Sequence, residues 1–261
     1  MKKYVWFVII FILLALLSIF VIKEYRESQN DKRILVMISS YKRPLLLSGQ
    51  LIRFANQTYK NFDISVSVKG APEWYVRKTF MQEWMPLIKK GKLRVRFDKN
   101  KNQLSNLLDT VRDVNLEDYD FYCKIDDDDW YAPTYLEEVN NWLKKENNIA
   151  VSFTHKAVVL RNGENVVQMS TNATALSGPT MCISRALIKL AFELEENPSA
   201  VEPLCSAKDI LYLRERREDA LLHKIAPLVG GVQERSSNQY NIIYGQQYPS
   251  VMRNHGYLPK E

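Results

Sequence analysis

Four consecutive aspartates, Asp126, Asp127, Asp128 and Asp129, are the residues of this chain whose type and spacing point most directly to chemistry. They follow the run FYCKI without a break and precede Trp130, Tyr131 and Pro133. Carboxylates packed this closely raise one another's pKa unless a cation neutralises them. In an extended segment alternate side chains point the same way, so Asp126 and Asp128 can share one target. Two carboxylates, completed by phosphate oxygens and water, suit Mn²⁺ or Mg²⁺. The EF-hand calcium pattern, with its Gly at the sixth position, is absent. The plainer alternative is a solvated acidic loop. Two weaker groups accompany the aspartates. Ser39, Ser40, Tyr41 and Arg43 follow an apolar run, where hydroxyls and a ring could hold a nucleoside and Arg43 a phosphate; ordinary turn chemistry would use the same residues. Asn102, Gln103 and Asn106 open a helical pattern, as an anion site or simply as caps.

The elements that must position these residues alternate. ILVMIS (34–39) is a short apolar run and reads as a buried strand. Pro44 can open the helix that follows. FDISVSV (62–68) and LRVRF (93–97) alternate as strands do, with a helical pattern over 73–90 between them. Leu104, Leu107, Leu108 and Val111 share one helix face over 103–113. DFYCKI (120–125) is a strand, and a helix runs from Pro133 to Lys145. IAVSF (149–153) is another strand. A hairpin over 157–169 turns at Asn162-Gly163. Helices are expected over 183–194 and 207–225, and an irregular tail from Gln233. This order predicts an α/β fold with a mostly parallel sheet covered on both faces. Ligands on such sheets bind at the carboxyl ends of the strands, which is where the aspartates fall.

The chain has 261 residues and a net charge of +6, with its basic residues dispersed rather than clustered. That argues against a nucleic-acid partner and suits an anionic membrane or a phosphate-bearing substrate. No charged residue occurs from Tyr4 to Ile22, a run of 19 residues that approaches the length of a bilayer span. No small-residue cleavage site ends it, so an uncleaved N-terminal transmembrane anchor is favoured over a signal peptide. Domain boundaries follow: 1–30 is anchor and linker, 31–261 one large domain. Cys123, Cys182 and Cys205 are too few for a disulfide framework and fit a reducing compartment, with Cys123 in the core.

KIDDDDWYAPTYLEEV resembles the DxD segment of family 2 glycosyltransferases of the GT-A (Rossmann-like) fold. ILVMISSYKRP is similar to that family's first strand and nucleotide-contacting turn, NQTYKNFDISVSV to its Gln-Thr-Tyr segment and second strand, and SGPTMCISRAL to its acceptor-side segment. The resemblance spans about residues 34 to 231. It implies a nucleotide-sugar half (31–130) and an acceptor half (131–261). It also implies transfer, with inversion, of a sugar from a nucleotide-diphosphate donor, a UDP-sugar being favoured. Asp126 and Asp127 would contact the donor, and Asp126 and Asp128 the metal, with His255 as a third ligand. The family's base commonly opens a late helix, which Glu218-Asp219 fits, Asp219 being preferred; Asp209 is the other candidate. The resemblance departs at the end of the second strand, where Ser67, Val68, Lys69 and Gly70 stand in place of an expected Asp. A QxxRW motif is absent, so single addition to a cell-envelope glycan or lipid-linked acceptor fits better than polymerisation. Nucleotide sugars are cytosolic in bacteria, which would place the domain on the cytoplasmic face of the inner membrane. Two other readings stay open: a non-catalytic, membrane-tethered glycan-binding protein on the same fold, and another metal-dependent nucleotide enzyme such as a nucleotidyltransferase.

Overall fold

A computed structural model describes residues 10, 12–18, 31–70, 82–98, 103–145, 148–153, 157–161, 165–169, 181–197, 218–234 and 242–244. The strands are β1 (Ile34–Tyr41), β2 (Phe62–Lys69), β3 (Leu93–Asp98), β4 (Phe121–Ile125), β5 (Trp130–Tyr131), β6 (Ile149–Phe153), β7 (Ala157–Arg161), β8 (Asn165–Met169), β9 (Cys182–Ser184), β10 (Gly231–Glu234) and β11 (Ile242–Tyr244). The helices are α1 (Pro44–Ala55), α2 (Gln82–Lys89), α3 (Gln103–Leu108), α4 (Tyr135–Leu143), α5 (Arg185–Glu196) and α6 (Glu218–Ile225). The main sheet has seven strands in the order β10-β6-β9-β4-β1-β2-β3. All its pairings are parallel except those of β9, which runs against β4 and β6. A second sheet has the order β5-β11-β7-β8.

β1 shows why the sheet needs cover on both sides. Ile34, Val36 and Ile38 enter one apolar cluster with Leu47, Leu51 and Phe54 of α1 and Leu136, Val139 and Leu143 of α4. Leu35 and Met37 enter another, with Leu104 and Leu108 of α3, Leu187 and Ile188 of α5 and Leu221 and Leu222 of α6. An unbroken apolar run thus serves a doubly covered central strand. Pro44 opens α1, and the Ser184 hydroxyl caps α5 by accepting from the Leu187 N–H at 3.3 Å.

Several elements differ from the sequence reading. β1 continues two residues past Ser39, through Tyr41, because β2 pairs with it as far as Lys69, so Ser40 and Tyr41 are strand residues and not a turn. α3 stops at Leu108. Cys182 and Ile183 form β9, where helix was expected from Ile183; its three residues are too few to show a period, and pairing on both sides fixes them. β5, β10 and β11 carry no pattern in isolation. Of the helical patterns over 73–90 and 207–225, residues 73–81 and 207–217 lie outside the described residues. Cys123 is fully buried, as expected, but it is disulfide-bonded to Cys182, its opposite number across β4 and β9. The partners are 59 residues apart, a separation no spacing rule flags. Among the described residues no helix is long and apolar enough to cross a membrane. Most of the run 4–22 lies outside them; residues 12–18 of it are helical, with Leu13, Leu14, Leu16 and Leu17 exposed.

Candidate active site

β4 ends at Ile125, and the chain turns at once through Asp126–Asp129 before β5 carries it away. This loop sits at the carboxyl edge of the sheet, beside the end of β1. One helix fixes it. Gln50, fully buried on α1, donates its amide to the carbonyl of Asp126 at 2.6 Å and to that of Asp129 at 3.2 Å. Gln57, just past α1, donates to the Ala132 carbonyl at 2.7 Å and accepts from the Leu136 N–H at 3.0 Å. The backbone of Asp126 donates to the buried Tyr131 hydroxyl at 3.2 Å. Burial, with Asp129 and Asp126 nearby, pushes that phenol well above its ordinary pKa, so it stays a neutral hydroxyl.

The turn sorts the four carboxylates. Asp126, Asp128 and Asp129 offer oxygens that all lie within 4.8 Å of one another. Asp127 points inward and is fully buried beside Ser40. Arg43, the last residue before α1, reaches across with both nitrogens: Nη1 lies 2.6 Å from Asp128 Oδ2 and Nη2 lies 2.7 Å from Asp127 Oδ1. The first contact is a hydrogen bond, whereas no hydrogen bond of good geometry reaches either Asp127 oxygen. Burial therefore dominates Asp127. Against the pull of Arg43 and Ser40, and helped by repulsion from Asp128 and Asp126, it raises the carboxyl from the usual range to about 7. Burial works against the Arg43 charge, but Asp127, Asp128 and Asp126 outweigh it and hold the guanidinium above its ordinary value.

The three converging oxygens fit a hard divalent cation: they are all carboxylate donors, as Mn²⁺ and Mg²⁺ prefer. The expected pair Asp126 and Asp128 is brought together, and Asp129 joins it because the loop is a turn and not an extended segment. Arg43, expected to hold a phosphate, is bonded to the aspartates. Asp127, expected on the donor, is buried beneath Arg43. Ser40 is buried and Tyr41 is exposed, with the Lys42 ammonium 5.1 Å from its ring centre. Gln103 opens α3 and Glu218 opens α6; their side chains lie outside the described residues. Asp219 is half-buried, and its own carboxylate accepts from the Ala220 N–H at 2.7 Å. α6 leads, through Ala226–Leu228, to the start of β10. Asp209 and His255 lie outside the described residues.

Sequence reasoning missed three parts. Gln50 and Gln57 gave only the signal of polar residues on an apolar helical pattern, although Gln57 stood in the Gln-Thr-Tyr segment. Lys69 was noticed only as a departure. It is buried and paired with Asp109 at 2.6 Å, and Asp109 in turn takes Arg112 at 3.0 Å. At the same corner Gly70 has a left-handed φ of +66°, and a Cβ there would come within 2.8 Å of the Tyr41 and Lys42 side chains.

No protein-family model and no curated protein matches the sequence. Solved structures do match. TarS 1-349 of S. aureus superposes with a TM-score of 0.51 at 16% identity, over 81% of this chain and 60% of that one. The same protein in complex with UDP-GlcNAc gives 0.52 at 13% identity, over 88% and 59%. The mannosyltransferase PcManGT of Pyrobaculum calidifontis, in complex with GDP-Man and Mn²⁺, gives 0.52 at 13% identity, over 79% and 55%. This chain spans about three fifths of the length of these structures. The likeness shows a GT-A-like fold.

Proposed function

We propose that this protein transfers one sugar from a nucleotide-diphosphate donor, with inversion, to a cell-envelope glycan or lipid-linked acceptor. The observation that carries the reading is the convergence of Asp126, Asp128 and Asp129 at the carboxyl edge of a GT-A-like sheet. Neighbours of that fold bind UDP-GlcNAc and GDP-Man, the latter with Mn²⁺, which supports a nucleotide-sugar donor and a Mn²⁺ or Mg²⁺ ion here.

These three aspartates would hold the metal, which when bound supplies positive charge against the donor's phosphates. The chain's own residues do the rest. Gln50 and Gln57 keep the acidic turn rigid, so the carboxylates are oriented before the donor arrives. Arg43 occupies one oxygen of Asp128 and is the cation nearest a diphosphate entering there. Tyr41 presents an exposed ring at the end of β1 for a base to stack on. Asp219 takes the proton of the acceptor hydroxyl; Asp209 is the alternative base and His255 a further metal ligand. The run 4–22 anchors the domain at the cytoplasmic face of a bacterial inner membrane. Alkylation of free thiols before lysis tests that placement, because the Cys123–Cys182 disulfide is a bond that oxidising compartments keep and the cytosol ordinarily reduces.

One observation favours a second reading. The Arg43 guanidinium already lies 2.7 Å from Asp127 and 2.6 Å from Asp128, an internal cation that a non-catalytic glycan-binding protein on this fold would retain. Thermal unfolding of the full chain in detergent separates the two. UDP, GDP and CDP and their sugars are added, each with and without Mn²⁺. A Mn²⁺-dependent rise with one nucleotide supports the transferase and names the donor class. No rise with any of them, in a protein that unfolds cooperatively, sinks the donor site and leaves the binding protein.

A further inference from the structure

The parallel strands of the main sheet all begin at one edge, and the segments that feed them meet there. Residues 31–33, 60–63, 89–94, 116–120, 144–145 and 184–189 hold eleven Lys and Arg against five Asp and Glu. At the opposite edge, the described residues 41–43, 69–70, 97–98, 124 and 126–129 hold four against five. Among the described residues the amino edge is therefore the strongly basic one. The cations also reach solvent: Lys60, Lys89, Lys90, Lys92, Lys145 and Lys189 are all exposed, and they come from four separate stretches of chain. The acids are partly consumed. Asp63 is buried between Arg33 and Lys92, and Glu117 is shared by Arg185 and Lys189. Leu228, half exposed, lies just before β10 on the same edge.

From this we infer that the amino edge of the sheet docks on an anionic lipid bilayer. Only eleven residues separate the end of the apolar run at Ile22 from the start of β1 at Ile34. Fully extended, they span at most about 40 Å. The linker joins β1 at this edge, so a bilayer holding the run 4–22 meets the basic edge first. A lysine-rich face within a Debye length of anionic headgroups is attracted to them, and an exposed leucine among the lysines can enter the interface. Docking so would turn the acidic loop away from the bilayer, toward water-borne donor. This inference rests on the anchor reading given above.

The test uses the full chain on vesicles of phosphatidylcholine alone, and on vesicles with about 30% phosphatidylglycerol as the anionic component. Lysine acetylation by an activated ester is followed residue by residue by mass spectrometry. The six exposed lysines are expected to react at least about threefold more slowly on the anionic vesicles, and high salt is expected to abolish the difference. Exposed Lys42, on the other edge, reacts equally on both. Equal rates for the six lysines, or protection of Lys42 instead, overturns the inference. Retention on the neutral vesicles through an alkaline wash reads the anchor alone. Should the chain wash off, the anchor reading fails. The edge then stands only if salt-sensitive binding to anionic vesicles persists with the same lysines protected, and falls if that binding is absent. The triple variant Lys60→Glu, Lys90→Glu, Lys145→Glu removes the protection of the remaining lysines and keeps the Mn²⁺-dependent response to nucleotide. If the remaining lysines stay protected, the edge is not the contact surface.

Discussion

Asp63 and Asp127 are both buried carboxylates on the main sheet, one at each edge, and the protein treats them oppositely. Asp63 opens β2 at the amino edge. Burial pushes its carboxyl up, but the Tyr119 hydroxyl at 2.7 Å, Lys92 at 2.9 Å and Arg33 at 3.0 Å outweigh it and hold the group below the usual range. Asp127 is shut from solvent too and more densely enclosed, with one cation in contact and two carboxylates beside it, and rises to about 7. Depth and the supply of donors separate them together. Donors aimed at the charged form are what keep a buried carboxylate ionised. Asp63 is electrostatically satisfied and serves stability. The carboxyl edge carries more negative charge than its own cations settle, and a site that receives a metal and a diphosphate is where such tension is expected.

The comparison breaks most visibly at Asp128. Asp128→Asn is expected to lower transfer by at least about a hundredfold and to abolish the Mn²⁺-dependent response to nucleotide. Cooperative unfolding should survive, because the amino-edge network is untouched. Asp63→Asn is the mirror experiment. It strands the buried Tyr119 hydroxyl and two cations, so urea unfolding is expected to show a loss of about 2 kcal/mol. Asp63 is held below its ordinary pKa, so its contribution is present above the carboxylate range and is lost as pH falls through its lowered value. The gap between wild type and Asp63→Asn should close at acid pH. Transfer per folded molecule should stay near wild type. If Asp63→Asn cost as much activity as Asp128→Asn, the division of labour between the edges would be wrong.

Gln50→Ala tests the next level down. It frees two loop carbonyls without touching a carboxylate, for an expected loss of about 1 kcal/mol and roughly tenfold weaker donor binding by calorimetry. Unchanged donor binding would mean that the turn holds its shape without the staple.

Much of this was legible before any coordinates. ILVMIS announced a strand covered on both faces, and its residues do divide between two apolar clusters. FYCKI followed by four aspartates announced chemistry at a strand end, and three of the four converge there. What stayed hidden depends on partners distant in sequence. Alternation in an extended segment paired Asp126 with Asp128, but Gln50 bends the loop into a turn, so Asp129 joins them and Asp127 goes under Arg43. β9 is three residues long and exists because β4 and β6 flank it. The Cys123–Cys182 bond and the basic amino edge have the same cause: both assemble residues from separate segments that only the sheet order brings together.

Asp127 offers the sharpest reading of the contrast. Its folded pKa is about 7 and its unfolded value is near 4, so between those values the folded state keeps a proton that the unfolded chain has released. Its contribution to stability is therefore complete below about pH 4 and is lost as pH rises toward 7. Asp127→Asn removes the titrating group and leaves a side chain of the same size. Without metal or nucleotide, the wild-type melting temperature is expected to fall by several degrees between pH 5 and pH 8 relative to that of the variant. Asp63→Asn does the reverse and shows its difference only at acid pH. Two buried aspartates on one sheet would then lose their contributions in opposite directions of pH. If Asp127→Asn and wild type fall in parallel, Asp127 is settled by its partners as Asp63 is, and the carboxyl edge holds no more tension than the amino edge.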